Sequence, residues 1–230
     1  MPRNGGCLRF CYGAAMARRD AERNRARLIE AGRSVFAEQG SDGPFEEVAR
    51  RAGVGIGTLY RHFPTRDALV EVIYAEHIDE VLSAAEDAVA SEDAWTGLVA
   101  FLERVLELQA RNLPLRSLFL RRGDDPALAA RRRQIQPALT RLIIRAREQR
   151  AVRDDFTLGD LSFALWSFAP IFEATADVAP DGWRRHLRIL LDGMRPAAAA
   201  PQQVSPLTGK QLEVAIQALR TRYHGRRAAA

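Results

Sequence analysis

The stretch that most restricts the fold is residues 46–63, Glu-Glu-Val-Ala-Arg-Arg-Ala-Gly-Val-Gly-Ile-Gly-Thr-Leu-Tyr-Arg-His-Phe. Val48, Ala49 and Ala52 share one face at helical spacing. Gly53 comes next, and glycine enters the left-handed region without steric cost, so the first helix is predicted to stop there. Val54 plugs the turn. A second helix is predicted from about Gly55, with Leu59 and Phe63, four apart, pointing inward. Gly57, Thr58, Tyr60, Arg61 and His62 then face outward. Two short helices joined by a tight turn form a helix–turn–helix, whose second helix can lie in a DNA major groove.

The outward residues suit that groove. Gly57 and Thr58 are small enough for a close backbone approach. Tyr60 and His62 carry donors for phosphate, and Arg61 adds charge or a bidentate base contact. The competing reading is a pair of packed helices with a basic face and no nucleic acid.

Gly57-Thr-Leu-Tyr-Arg-His-Phe-Pro64 followed by Thr65-Arg-Asp-Ala-Leu69 resembles the DNA-binding domain of the TetR family of bacterial repressors. The likeness continues upstream through Arg27-Leu28-Ile29-Glu30-Ala31 and Val35-Phe36-Ala37-Glu38-Gln39-Gly40, and spans residues 23–74. It implies an all-α homodimer that represses transcription from a palindromic double-stranded operator and is released by a small-molecule effector. It also places Arg66 where the family commonly contacts phosphate. The family usually has Ser or Thr at 55 and often a basic residue at 56, whereas this chain has Gly55 and Ile56. Gly is nearly as good an N-cap as Ser. Ile56 offers DNA an apolar contact to a thymine methyl and no charge. The C-terminal region is similar in plan to the SbtR-like subgroup.

The remaining chain fills in the organisation. At 230 residues and 47% apolar, it can bury a substantial core in one or two domains. The net charge of +5 is compatible with nucleic acid. Lys210 is the only lysine, so arginine carries nearly all the positive charge. Cys7 and Cys11 form no disulfide framework and lack two further metal ligands nearby, so neither a metal nor a cofactor is expected, and a reducing cytoplasm is. No apolar run approaches a membrane span.

Residues 1–17 read as a disordered tail, with Met16 a plausible alternative start. The DNA-binding domain is placed at 18–65. Arg18 and Arg19 crowd the start of its first helix, where positive charge opposes the helix dipole, so they join the expected DNA contacts, as do Gly43 in the turn and Thr65. Residues 66–195 are assigned to a helical effector-binding and dimerisation domain, 196–207 to a linker, and 208–230 to a last helix and tail. Within the second domain, helices are expected to Ser91 and at 94–111, 114–122, 126–150, 157–177 and 182–195, with Pro137 breaking or kinking its helix. Leu98, Phe101, Leu102, Val105, Phe119, Trp166 and Phe168 serve either as core or as effector pocket. The segment 158–172 is apolar nearly all round, which implies a partner subunit. Leu161, Leu165, Phe172, Leu187, Leu191 and Met194 are therefore the expected dimer contacts.

The charge is one-sided along this domain. Residues 67–110 hold eleven acidic side chains against Arg104, and residues 111–150 hold eleven arginines against three acids. Complementary helix faces, or a cationic pocket, would both account for it. The four histidines are scattered, and no nucleophile elbow, His-Glu-x-x-His or P-loop is present. Three classes follow in order: a ligand-released DNA-binding repressor, a constitutive DNA-binding regulator or activator, and a helical enzyme.

Overall fold

The computed structural model of the protein describes residues 6–39, 43–111, 126–200 and 202–225, whose regular structure is helix, with no strand among them. The helix expected at 114–122, with Phe119, lies outside the described residues. Two compact units divide between Ile73 and Tyr74.

The first unit holds α1 (Gly6–Gln39), α2 (Phe45–Ala52), α3 (Ile56–His62) and the opening of α4 (Arg66–Ala90). Leu28, Val35 and Phe36 of α1 meet Phe45, Val48, Ala49 and Ala52 of α2 in a core that also takes Leu59 and Phe63. Helix α1 starts at Gly6, so residues 6–17 are helix and not tail. Beyond Gly6 this segment contains neither proline nor a polar run that would stop a helix. The unit boundary also falls later than the expected 65/66. The first two turns of α4 bury Leu69, Val70 and Ile73, and a side chain at Gly32 of α1 would meet Leu69 Cδ2 at 2.8 Å. That close packing ties the start of α4 to α1.

The second unit continues α4 and adds α5 (Ala94–Arg111), α6 (Pro126–Glu148), α7 (Leu158–Thr175), α8 (Trp183–Met194), a 3-10 turn (Pro196–Ala198) and α9 (Gly209–Gly225). Side chains cap several of these starts. Asp93 Oδ2 accepts from Thr96 N at 3.0 Å to open α5. Thr157 and Asp160 form a reciprocal capping box on α7, and Thr208 and Gln211 form another on α9. Helix α6 passes through Pro137 without ending there. Pro137 and Arg133, the residue whose carbonyl it leaves without its helical donor, are both exposed.

The core of this unit is shared by α5, α6, α7 and α8. Leu98, Phe101, Leu102 and Leu106 meet Leu142, Ile143 and Ala146, with Phe168, Phe172 and Trp183 interlocked edge to face. The end of α6 also fastens the α4–α5 corner. Arg145 donates to the carbonyls of Val89, Ser91 and Glu92, satisfying acceptors that the end of α4 leaves open. Gln149 accepts from Ala94 N at 2.8 Å and donates to Glu92 O at 3.0 Å.

This packing sets most of the expected dimer contacts inside the subunit. Leu161, Phe172, Leu187, Leu191 and Met194 are buried inside the subunit's own core, and Leu165 is half-buried. Trp183, Leu187, Leu191 and Met194 recur every three or four residues on the inner face of α8, where Phe168 and Phe172 meet them. The apolar side chains left outside on these helices are Phe163 and Ile189, with Trp166 half-buried beside Phe163.

Candidate nucleic-acid interface

Gly53 caps α2 in the left-handed region, with φ 62° and ψ 39°. Its N–H and that of Val54 return to the carbonyls of Arg50 and Ala49, which closes the turn. A side chain at 53 would be strained and would also meet Arg27 Nη2 at 2.6 Å. From this turn α3 is pinned by Leu59, fully buried, and by Phe63. Its opposite face is solvent. Ile56 and Tyr60, one turn apart, are each 45% exposed, with Arg61 exposed beside them.

No neighbour lies within 4 Å of where side chains would stand on Gly55 and Gly57. The leading turn of α3 is therefore bare backbone on either side of Ile56. Tyr60 is less free than its exposure suggests. Its ring lies edge-on to Phe45 at 5.6 Å, and its hydroxyl points to Glu46 at 3.5 Å.

The other expected contacts divide. Arg18 and Arg19 on α1 are exposed, whereas Thr58 and Arg66 are half-buried. Thr65 is exposed, but its hydroxyl accepts from Ala68 N at 3.1 Å and caps α4. His62 is half-buried, its Nε2 is buried without a hydrogen-bond partner, and its ring lies 6.4 Å from that of Phe63. It is thus poorly placed as a phosphate donor. Gly43 is buried, so its place among the expected contacts finds no support in its exposure.

Two arginines of α2 are paired with carboxylates of their own domain, Arg50 at the exposed surface and Arg51 half-buried. Arg51 bridges Glu38 of α1 at 2.6 Å and Glu47 of α2 at 3.0 Å. Arg50 also grips Glu47. The Arg50 and Arg51 guanidiniums hold the Glu47 carboxyl down at about 2, from an ordinary value near 4.5. A depressed carboxylate contributes stability that is complete above its unfolded value and is lost as pH falls through the folded one. The first unit should therefore lose stability between about pH 4.5 and 2, and Glu47→Gln should lower the pH 7 melting temperature and flatten that acid slope. Thermal melts followed by circular dichroism at several pH values test this; identical acid profiles for both proteins would remove Glu47 from the account.

The expected effector residues are core. Leu98, Phe101, Leu102, Val105 and Phe168 are at most 4% exposed, and Trp166 is half-buried. A cavity of about 340 Å³ instead lies between α4 and α5, lined by Ser83, Asp87, Ser91, Thr96, Arg104 and Phe101 among others. Of the expected set only Phe101 reaches it. Its polar lining comes from two helices, and small residues open it, Ala84 and Ala88 on one side and Gly97 and Ala100 on the other. That spacing was the available signal, but it reads equally well as close packing.

An all-helical chain whose short glycine-opened helix presents Ile56, Tyr60 and Arg61 from a helix–turn–helix defines a DNA-binding regulator. Known proteins narrow this further. Residues 28–73 match the model for bacterial regulatory proteins of the tetR family, and residues 93–196 match the SbtR-like transcriptional regulator C-terminal domain. A TetR transcriptional regulator from Streptomyces coelicolor is 32% identical, with 76% of this chain and 99% of that one covered and a TM-score of 0.58. A TetR regulator from Mycobacterium vanbaalenii is 31% identical, covering 78% and 99%, with a TM-score of 0.56. A curated helix–turn–helix transcriptional regulator of Staphylococcus aureus strain MRSA252 is 31% identical over 101 residues, which cover 41% of this chain and 52% of that protein. The chain spans about half of that curated relative and about a third, 34%, of another from strain USA300. The chain belongs to the TetR family of transcriptional regulators. These relatives are regulators, not enzymes. No described helix is long and apolar enough to cross a membrane.

Proposed function

We propose that the protein is a homodimeric repressor that holds a palindromic operator and releases it when a small molecule binds its C-terminal unit. The observation that carries this reading is the solvent face of α3, where Ile56, Tyr60 and Arg61 stand out from a helix anchored by Leu59 and Phe63. Arg18 and Arg19 supply phosphate contacts from α1. The subunits pair through Phe163, Trp166 and Ile189, apolar side chains that a lone subunit leaves wholly or partly in water. Two α3 helices then read successive major grooves, about 34–36 Å apart.

The cavity between α4 and α5 is the candidate effector site. Asp87 and Arg104 give it both charge signs, and Ser83, Ser91 and Thr96 add hydroxyls. This lining favours a small polar or zwitterionic compound over a greasy one. An effector that binds better to the conformer unsuited to DNA lowers operator affinity by that difference. The cytoplasm is the compartment in which such a regulator acts.

The test begins with a duplex selected from a randomised pool by the full chain. Two subunits should bind it, and Arg61→Ala should weaken binding by about tenfold or more, since one good base contact contributes about 1–3 kcal/mol. A compound that raises the melting temperature should release the duplex, and a promoter carrying the site should fire more strongly when the protein is removed. Tight binding that no stabilising compound loosens would favour a constitutive regulator. Enrichment of no sequence would overturn the DNA-binding assignment.

A further inference from the structure

We infer that Ile56 makes the operator half-site depend on the 5-methyl group of one thymine, so that this protein reads part of its DNA by apolar contact. The inference rests on the DNA-binding reading above and specifies what the leading turn of α3 recognises.

In a helix–turn–helix the first residues of the second helix approach the base edges. Here those residues are Gly55, Ile56, Gly57 and Thr58. The two glycines carry no side chain and nothing lies near their open sides, so the backbone can come close. Thr58 is half-buried, while Ile56 is 45% exposed. Ile56 is thus the prominent side chain on that turn.

Isoleucine has neither donor nor acceptor. Facing an amino group, N7 or a carbonyl oxygen, it would strip water and return no hydrogen bond. Among the unmodified bases the major groove has a single apolar feature, the C5 methyl of thymine. Tyr60 stands one turn behind with its ring held against Phe45, which extends the apolar strip along the same face. Arg61 beside it remains available for a phosphate or a guanine. The turn therefore separates its work, with methyl recognition at Ile56 and charge at Arg61.

The test uses the full chain and the duplex it selects from the randomised pool. Each thymine is replaced in turn by deoxyuridine, which deletes only the methyl. One thymine per half-site should stand out, its replacement weakening binding about fourfold, and about fifteenfold when both halves are changed, as expected for losing one buried methyl per half-site. The Ile56→Ala variant should melt like the parent, bind more weakly, and lose the difference between thymine and uracil at that position. In a parallel arm each cytosine is replaced by 5-methylcytosine. A gain confined to methylated cytosine would assign the methyl to a modified base and overturn the thymine assignment. Tight binding by a wild-type protein indifferent to every uracil would overturn the inference while leaving DNA binding intact. Failure to select any duplex would instead strike the DNA-binding reading itself.

Discussion

Leu191→Arg is expected to unfold the C-terminal unit, while Ile189→Glu, two residues away, is expected to leave the fold intact and separate the subunits. Leu191 is 2% exposed and shares its core with Trp183, Leu187 and Met194. An arginine there must either bury an unpaired charge or prise α8 from α7. Either course costs several kcal/mol, a large part of the roughly 5–15 kcal/mol that holds a domain together. Ile189 is 59% exposed, so a glutamate should change subunit stability by no more than about 0.5 kcal/mol. In a symmetric pair, however, it puts two like charges into one contact. Circular dichroism melts should show a loss for Leu191→Arg alone. Light scattering should show Ile189→Glu at the mass of one 25.6 kDa chain and the parent at twice that mass. A well-folded Leu191→Arg protein, or an Ile189→Glu protein that stays paired, would refute the division between inner and outer faces.

The second large effect is expected at Gly97. A β-carbon there would stand 2.5 Å from the carbonyl oxygen of Ala88 and 3.1 Å from Ser91 Cβ. Helices α4 and α5 thus approach more closely at this corner than any side chain at 97 permits. Replacing an interior helical glycine by alanine normally stabilises by about 0.5–1 kcal/mol. Here the clash is with main chain that cannot swing aside, and overpacking costs about 1–3 kcal/mol. The sign should therefore reverse: Gly97→Ala destabilises by about 1–2 kcal/mol and Gly97→Val by more. Gly57→Ala is the control, because nothing lies within 4 Å of its open side, and it should be neutral or stabilising. Urea titrations of the three proteins decide this, and a stabilised Gly97→Ala would show that the corner yields easily.

How far the sequence carried the structure follows from the range of the interactions involved. The helix–turn–helix was legible because its determinants are local. Gly53 is needed for one positive φ, and Leu59 and Phe63 lie four apart facing the same core. The caps at Thr65, Asp93, Thr157 and Thr208 are equally local, since each partner is three residues away. The inner and outer faces of α7 were not. Helix α7 is apolar on most sides, and periodicity alone does not separate Phe163, which faces out, from Leu161 and Phe168, which face in. What distinguishes them is the aromatic cluster around Trp183, assembled from residues distant in sequence. The cavity escaped for a similar reason, as its polar lining is contributed separately by α4 and α5. The reach of Arg51 across to Glu38 was hidden too, because Glu38 lies on another helix, whereas the Arg50–Glu47 pair is three residues apart on α2.

That ion-pair cluster has a further consequence, for the way DNA binding responds to salt. A cation strengthens association chiefly by freeing the counterions condensed on a phosphate. Arg50 and Arg51 already hold Glu38 and Glu47 as internal counterions, and those carboxylates in turn spare the phosphates a repulsive neighbour. Arg50 and Arg51 are therefore expected to add less to ion release on binding than their charge alone would suggest. On the DNA-binding reading proposed above, exposed guanidiniums such as Arg18, Arg19, Arg25, Arg27 and Arg61 would set the ionic sensitivity instead.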